Sequence, residues 1–442
     1  MSKSVFIETY GCQMNAYDTE LIRSILKKEN FTFSEQETEA DIVMLNTCSV
    51  RDNANRKVYN RIHEIRHARH GAPVMIGVLG CMATNFRQAL LDNPKLGIDF
   101  IAGPDSYKQL PHLIEEVSGT GKKQFDVTLS EFETYSDVLP TRLDGVNAWI
   151  AVMRGCNNFC SFCVVPFTRG RERSRDPENV VEEVRKLVAQ GFSQVTLLGQ
   201  NVNSYRSGDN DFADLMARVS DVPGIRRIRF TSPHPKDFPT KFLNVMKERD
   251  NICKQIHLPL QAGSTRVLDK MNRTYTKEEF LDLVAHIRDL MPDIALSTDV
   301  IVGFPTETDA EFEDTLDVME RVQFDSAFMF KYSERELTLA SRRFPDDVPE
   351  AIKTERIVRL NELQKRHCLA KNSAYIGKEL EVLIEADTTK KAAKKGVAEI
   401  QGRTDSNKLV ILPGEAGFAV GAYEKVRITE ATPNVLRGVP LC

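Results

Sequence analysis

Residues 154–163 read RGCNNFCSFC and place three cysteines at the spacing C-x3-C-x2-C. An iron–sulfur cluster with four irons takes four thiolates when it is closed, so three thiolates leave one iron free for another ligand. Gly155 and the Asn157-Asn158 pair suit the irregular backbone of a tight loop in which all three sulfurs face one cube. The stretch therefore predicts a [4Fe-4S] cluster with one open iron.

Two other interpretations of these cysteines fit less well. A structural zinc site pairs two C-x2-C knuckles or combines cysteines with histidines at short spacing. Neither a second knuckle nor a histidine lies near residues 156–163 in the sequence. Disulfide pairing fails because the cysteines are crowded and odd in number. Nine cysteines in 442 residues are also too few for a disulfide scaffold, which favours a reducing cytoplasm.

The composition is that of an ordinary soluble globular protein, with 41% hydrophobic and 28% charged residues. No apolar run approaches the length of a transmembrane span, and the N-terminus leads directly into a predicted strand, so we expect no membrane segment and no signal peptide. The net charge of −4 does not announce a nucleic-acid partner. Any RNA binding must therefore come from local basic patches.

Strands and helices alternate over the first 120 residues. The predicted strands are Val5–Tyr10, Asp41–Leu45, Val74–Leu79 and Ile98–Ile101. The predicted helices are Asp18–Lys28, Asp52–His70, Asn85–Leu91 and Tyr107–Val117. This alternation predicts an N-terminal parallel α/β domain over residues 1–120. Residues 121–146 lack clear periodicity and are predicted to be a linker with little structure of its own.

Three cysteines follow three of these strands directly. They are Cys12, Cys48 and Cys81, each flanked by loop-forming residues such as Gly11, Asn46 or Gly80. The alternative is three unrelated buried cysteines, since free cysteine is a common core residue. Because the carboxyl ends of parallel strands share one edge of a sheet, we instead expect the three to converge. They predict a second three-thiolate cluster, again with one open iron.

A second run of alternating elements occupies residues 147–372. Strands are predicted at Trp149–Met153, Gln194–Leu198, Arg227–Thr231, Gln255–Leu260, Ile294–Val302 and Ser326–Tyr332. Helices are predicted between them at Pro177–Gln190, Phe212–Val219, Pro239–Glu248, Thr276–Leu290 and Asp309–Arg321. Six β/α units indicate a partial (β/α)6 barrel with its active site at the carboxyl ends of the strands. The cysteine loop follows the first strand and so lies at that mouth.

This loop, with Phe162 just before its last cysteine, resembles the radical S-adenosylmethionine (SAM) superfamily. The resemblance implies that the free iron chelates the methionine part of SAM, whose cleavage yields a 5′-deoxyadenosyl radical. Polar side chains at the same strand ends have two interpretations, since such residues also cap helices. As a set at one rim we expect them to bind SAM together with Phe162. The candidates are Gln200, Asn201, Ser232, Gln261 and Asp299.

The C-terminal residues 373–442 change to short alternating strands punctuated by glycines. A charged helix over residues 350–373 leads to strands at Leu380–Ile384, Val397–Gln401, Lys408–Leu412 and Glu424–Ile428. This pattern predicts a small antiparallel β-barrel. Its Lys390–Lys395 run is interpreted as a solvated loop, with an RNA backbone contact as the alternative. Cys253, Cys368 and Cys442 match no ligand pattern.

A sharper basic feature directly follows the cysteine loop. Four arginines alternate with other residues there, and guanidinium groups at that point could bind phosphates close to the reacting centre. We predict an RNA contact through Arg169, Arg171, Arg173 and Arg175.

The combination of three strand-end cysteines, a C-x3-C-x2-C barrel and a TRAM-like β-barrel resembles the methylthiotransferase family over essentially the whole chain. Tyr10-Gly11-Cys12-Gln13-Met14-Asn15 and Val164–Gly170 look most like its MiaB-type branch, which acts on N6-isopentenyladenosine beside the tRNA anticodon. The sister branches, which modify a ribosomal protein aspartate or threonylcarbamoyl-adenosine in tRNA, typically show Pro-Lys or Lys-Val after the first cysteine. They remain the alternative function.

The resemblance implies roles for all six cysteines. Cys156, Cys160 and Cys163 would hold the SAM-cleaving [4Fe-4S] cluster, while Cys12, Cys48 and Cys81 would hold an auxiliary one that carries the inserted sulfur. It also implies SAM as cofactor and a tRNA anticodon stem-loop, an electron donor and a sulfur source as partners. We expect a cytoplasmic monomer. Rival classes are an iron–sulfur electron carrier, which needs no open irons, and a zinc-dependent RNA-binding module.

Overall fold

The computed structural model describes residues 3–49, 52–69, 72–142, 145–386 and 398–441. It confirms the predicted architecture: a parallel α/β sheet, a partial barrel of parallel strands and a small closed β-barrel follow one another along the chain. Among the helices in these ranges, none is long and apolar enough to cross a membrane.

The N-terminal domain is one six-stranded parallel sheet with the order β2-β1-β3-β4-β5-β6. Its strands are β1 Ser4–Thr9, β2 Thr32–Phe33, β3 Ile42–Thr47, β4 Met75–Gly80, β5 Phe100–Ala102 and β6 Gln124–Asp126. Its helices are α1 Gln13–Lys28, α2 Asp52–Ala68, α3 Cys81–Phe86, α4 Gln88–Asp92 and α5 Leu110–Thr120. Separate apolar cores cover the two faces, as a parallel sheet requires.

Two predicted helices of this domain differ from the structure in a way that matters for the cysteines. Helix α1 begins at Gln13 rather than Asp18, so Cys12 is its N-cap residue. The helix predicted at Asn85–Leu91 is two short helices separated by Arg87, whose φ is 45°. Cys81 is therefore the first residue of α3, directly after β4.

The prediction that residues 121–146 form a linker with little structure is wrong. Strand β6 lies in this segment and pairs with β5 at the edge of the sheet. Tyr135 is fully buried, and its hydroxyl accepts a hydrogen bond from the Tyr107 N–H and donates one to Pro104 O, both at 3.0 Å. The segment lacked a periodic pattern because single side chains, rather than a helix face, anchor it.

The second domain is the predicted partial barrel. Its six main strands are β7 Asn147–Ala151, β10 Gln194–Leu198, β13 Arg227–Phe230, β14 Gln255–His257, β15 Ala295–Val302 and β16 Ser326–Lys331. Four two-residue strands form two side ribbons, β8 Met153–Arg154 with β9 Arg173–Ser174, and β11 Arg206–Ser207 with β12 Asn210–Asp211. The helices are α6 Val165–Thr168, α7 Pro177–Ala189, α8 Phe212–Ser220, α9 Thr240–Glu248, α10 Thr265–Lys270, α11 Lys277–Leu290, α12 Asp309–Val322, α13 Leu339–Arg343 and α14 Glu350–Ser373.

The six main strands are parallel and divide into two sheets, β13-β10-β7 and β14-β15-β16. A parallel bridge between Ile228 and Ile252 joins the two halves, and one continuous apolar core packs between strands and helices. All strand ends that carry candidate site residues therefore point to one mouth.

The C-terminal domain is a closed five-stranded barrel with the order β17-β18-β19-β21-β20. Its strands are β17 Glu379–Ala386, β18 Glu399–Thr404, β19 Leu409–Pro413, β20 Tyr423–Ala431 and β21 Leu436–Pro440. The sequence pattern missed β21, which closes the barrel by pairing with both β19 and β20. The lysine run at 390–395 lies outside the described residues.

Two buried arginines of the second domain hold this barrel in place. Arg227 donates to the carbonyl of Arg403 and to Glu381, and Arg229 donates to the carbonyls of Thr404 and Asp405. These contacts lie at β13 on the side of its amino end, away from the mouth. The barrel therefore leaves the mouth of the second domain uncovered.

Tyr135→Phe tests whether the 121–146 segment is an integral part of the fold. Removing the hydroxyl leaves the buried Tyr107 N–H without its partner, which costs about 1–3 kcal/mol. We expect that loss in the free energy of unfolding, measured by denaturant titration of the fluorescence of Trp149, the single tryptophan, which packs against the same core. Tyr59→Phe, on the opposite face of the sheet, is the matched control, and an equal loss in both variants would contradict the prediction.

Candidate iron–sulfur and nucleic-acid modification site

The loop of residues 154–163 follows the first barrel strand and is held by close backbone contacts. Gly155 has φ +79°, and a Cβ there would lie 1.9 Å from the carbonyl oxygen of Arg171, so only glycine fits. The Gly155 N–H donates to the side chain of Gln200 at the end of β10. On the other side, Ser161 accepts at its carbonyl from Ala340 N–H and donates to the carbonyl of Met271.

The thiols of this loop lie in a low-dielectric environment with one cationic neighbour. Burial raises the pKa of Cys156 and of Cys163 to about 12. Arg273, itself buried, donates from Nη1 to Cys160 Sγ at 3.2 Å. Protonated thiols are poor ligands, so these thiols would have to lose their protons on binding a metal centre. A bound metal centre deprotonates coordinating thiols and provides the compensating positive charge.

The second trio of cysteines converges as predicted. Thr47 of β3 is paired with Gly80 of β4, so Cys48 and Cys81 follow adjacent strand ends at the same level. Gly11, with φ +116°, brings Cys12 to the same edge, and a Cβ on Gly11 would lie 2.5 Å from Cys48 Cβ. Cys12 is exposed while Cys48 and Cys81 are buried. The trio therefore has one side open to solvent and one closed side.

The closed side of this trio carries a guanidinium. Arg169 donates from Nε to Cys81 Sγ at 3.2 Å and is itself 3% exposed. Burial raises the pKa of the Cys81 thiol, and the charge of Arg169 opposes that rise. Each trio thus has at least one buried thiol that accepts a hydrogen bond from a buried arginine.

Three cysteines in each trio are the kind of donor that an iron–sulfur cluster takes. Within the described ranges, no group of three His, Cys, Asp or Glu side chains is placed to hold one ion. Thiolates of a four-iron cube contact different irons and therefore lie further apart than the ligands of one ion. An anionic cluster with thiolate ligands requires close backbone approach, buried sulfurs and a nearby cation. The backbone approaches closely at Gly11 and Gly155, and buried sulfurs and a cation are present at each trio.

The elements that carry the two trios contact each other across the domain interface. Helix α3, which begins at Cys81, packs against α6, which begins two residues after Cys163. Arg154 and Arg169, on either side of the cysteine loop, both form ion pairs with the buried carboxylate of Asp18 on α1. The loop of one trio is therefore attached to the helix that starts at the other.

The residues predicted to bind SAM lie at the mouth. They differ in how firmly their side chains are held by other parts of the fold. Ser232 and Gln261 have positive φ values of 59° and 69°, a strain that clusters at functional sites. Asp299 is paired through Oδ2 with His257 Nε2 at 3.1 Å, and Gln261 N–H donates to the Asp299 carbonyl. Asn201 instead donates to Asp237 Oδ2, so its amide is engaged in the fold. Phe162 is half-buried against the barrel core.

The prediction of an RNA contact is wrong for three of the four arginines. Arg169, Arg173 and Arg175 are buried, each in an ion pair. Their carboxylate partners are Asp18, Asp105 and Glu183. Alternate charged residues in a sequence resemble an exposed stripe, but Arg169 and Arg173 face carboxylates that are far away in the chain. Arg171 alone is exposed, over the ring of Phe159 at 4.5 Å, and its RNA contact stays a prediction.

Some residues that shape the two trios and the mouth were not predicted from the sequence. Arg273 and Asp18 gave no signal because each lies in an ordinary helical or loop pattern. His257, the partner of Asp299, could have been found from its place at the end of β14, one strand from Asp299 in the predicted order.

Family models match all three domains. The radical SAM superfamily matches residues 150–319, the TRAM domain matches residues 373–441, and an uncharacterized protein family, UPF0004, matches residues 4–103. A curated relative from Porphyromonas gingivalis, named tRNA-2-methylthio-N(6)-dimethylallyladenosine synthase, is 47% identical over 446 residues, covering 99% of this chain and 94% of the relative. A relative of the same name from Phocaeicola vulgatus is 44% identical, covering 99% and 96%.

The chain belongs to the tRNA-2-methylthio-N(6)-dimethylallyladenosine synthase family. Solved structures add evidence on the fold. The radical SAM methyltransferase TsrM from Kitasatospora setae superposes with a TM-score of 0.59 at 17% identity, covering 77% of this chain and 74% of that one. The radical SAM enzyme OxsB gives 0.53 at 12% identity, covering 83% and 56%. At these identities the likeness concerns the fold alone.

Gly155→Ala tests the construction of the cysteine loop in this family member. A Cβ would collide with the Arg171 carbonyl, and the positive φ would be strained as well. We expect the variant to bind about half the iron of the parent after anaerobic reconstitution, because only the Cys12 trio would still hold a cluster. Gly119→Ala is the control, since a Cβ there meets nothing within 4 Å; full iron in both variants would refute the prediction.

Proposed function

We propose that this chain is a radical SAM enzyme that methylthiolates C2 of N6-isopentenyladenosine at the position 3′ of the anticodon in tRNA, giving 2-methylthio-N6-isopentenyladenosine. Membership of the family over nearly the whole chain supports this activity. The observation that supports the proposal is the contact between α3, which begins at Cys81, and α6, which begins two residues after Cys163. A reaction that joins two cluster chemistries at one base needs that arrangement.

The six cysteines are proposed to hold two [4Fe-4S] clusters. Cys156, Cys160 and Cys163 hold the cluster that binds SAM, with Phe162, Gln200, Ser232, Gln261 and Asp299 around the SAM itself. Cys12, Cys48 and Cys81 hold the auxiliary cluster. The bound clusters and SAM supply the radical and methylthio chemistry that C2 of adenine requires, since this carbon has no acidic proton and no leaving group.

The protein's own residues position the reactants. Gln200 fixes the cysteine loop through Gly155, and His257 orients the Asp299 carboxylate at the mouth. Buried ion pairs of Arg154 and Arg169 with Asp18 exclude water from the closed side of the interface. Cys12 marks the open side, so we infer that the adenosine enters there, unstacked from its loop, as bases recognised by RNA-modifying proteins are.

The partners follow from this chemistry. The substrate is a tRNA anticodon stem-loop, and turnover needs an electron donor and a sulfur source. No disulfide joins the eight cysteines of the described ranges, which suits a reducing compartment. We propose that the enzyme works in the cytoplasm, as a monomer.

Substrate choice is the direct test of the proposed function. The reconstituted protein is incubated anaerobically with SAM, a reductant and tRNA that is either isopentenylated or unmodified, and nucleosides are analysed by mass spectrometry. We expect methylthio product only from the isopentenylated RNA, because the relatives are named for that nucleoside.

Two results would overturn the assignment. Methylthiolation of threonylcarbamoyl-adenosine, or of a ribosomal protein aspartate, without product on isopentenylated tRNA would place the chain in a sister branch. Cys12→Ala serves as the matched negative variant, since it should abolish product while leaving the Cys156 trio intact.

A further inference from the structure

One buried carboxylate connects the two trios of cysteines. Asp18 is 0% exposed and lies on α1, six residues after Cys12. Its Oδ1 accepts from Arg154, two residues before Cys156, and its Oδ2 accepts from Arg169 at 2.8 Å, six residues after Cys163. Both ends of the radical SAM cysteine loop therefore converge on a single side chain of the other domain.

Arg169 is the member of this group that touches a predicted cluster ligand. Its Nε donates to Cys81 Sγ, and its Nη2 donates to Asn15 Oδ1 and to Asp18 Oδ2, both at 2.8 Å. Asn15 lies on the first turn of α1, three residues after Cys12. One guanidinium, supplied by the radical SAM domain, thus spans the elements that carry Cys12 and Cys81.

We propose that Arg169, held by Asp18, is a positioning residue for the auxiliary cluster: it places a fixed positive charge on the Cys81 ligand and ties that cluster to the radical SAM loop. This inference rests on the proposed two-cluster function and deepens it. The Cys12 trio is complete only when the radical SAM domain contributes this arginine. The chain therefore couples the electrostatics of one site to the placement of the other.

Two physical consequences follow. Hydrogen bonds and positive charge on cluster sulfurs set the reduction potential, and they stabilise the more negative, reduced state. Removing Arg169 should therefore make the auxiliary cluster harder to reduce. Outer partners of metal ligands also contribute about 10–100-fold to metal affinity or activity, so cluster occupancy should fall as well.

The chain offers matched controls for both consequences. Arg273 makes the equivalent contact with Cys160 in the other trio, so its substitution should shift only the SAM-binding cluster. Arg142 is a partly buried arginine that also links α1 to the second domain, through Glu20 and Glu183. Arg142 touches neither trio in the contacts described, so it controls for the loss of an interdomain ion pair.

The experiment compares Arg169→Gln, Arg169→Lys, Arg273→Gln and Arg142→Gln with the parent, as reconstituted full-length protein without RNA. Iron per chain and the midpoint potential of each cluster are measured by electron paramagnetic resonance during redox titration. We expect Arg169→Gln to lower the auxiliary potential, or to lose about half of the iron, while the SAM-binding cluster is unchanged. Arg169→Lys should restore part of the parental potential and iron content, because lysine returns the positive charge but not the planar guanidinium group.

The proposal is overturned if Arg169→Gln keeps both full iron and the parental auxiliary potential, or if Arg142→Gln shifts that potential equally. Failure of the proposed function would look different: the parent itself would then hold one cluster or methylthiolate no tRNA. The variant comparison reports on Arg169 even when activity is absent.

Discussion

The buried carboxylate of Asp18, shared by Arg154 and Arg169, is the interaction on which the arrangement of the site depends. A buried ion pair adds little net stability, because desolvation offsets the Coulombic attraction, but removing one partner costs roughly 3–5 kcal/mol. Such a pair therefore selects one arrangement over others rather than simply adding stability. Here it selects the arrangement in which the loop of Cys156–Cys163 lies against the sheet edge that carries Cys12, Cys48 and Cys81.

The arrangement of the domains explains how an interface held by buried ion pairs can also present reactive side chains. The sheet of the first domain and the partial barrel of the second present the carboxyl ends of their parallel strands toward a common region. Loops rather than strands supply the side chains there. Burial keeps the thiols of Cys81, Cys156 and Cys163 in surroundings that raise their pKa, so the free thiolates are disfavoured until a metal centre compensates them. The C-terminal barrel is attached at the opposite side of the second domain, through Arg227 and Arg229, and leaves the mouth open to a large substrate.

Much of the fold was predictable from the sequence, because strand and helix periodicities and loop residues are local. All six main barrel strands and the convergence of Cys12, Cys48 and Cys81 followed from such patterns. Strand Gln124–Asp126 and strand Leu436–Pro440 were missed, since they are short and are defined by the partners they pair with. The burial of Arg169 was unpredictable for a related reason: its carboxylate partner lies 151 residues away in the chain.

Under the proposed function, one chain holds two three-cysteine sites on contacting elements, each completed by its own cluster. The iron and sulfide content of the anaerobically reconstituted full-length protein, with Mössbauer spectroscopy to identify the cluster type, tests it most directly. The arrangement predicts about eight irons per chain, all in [4Fe-4S] clusters. About four irons per chain, or zinc in place of iron at the Cys12 trio, would contradict it.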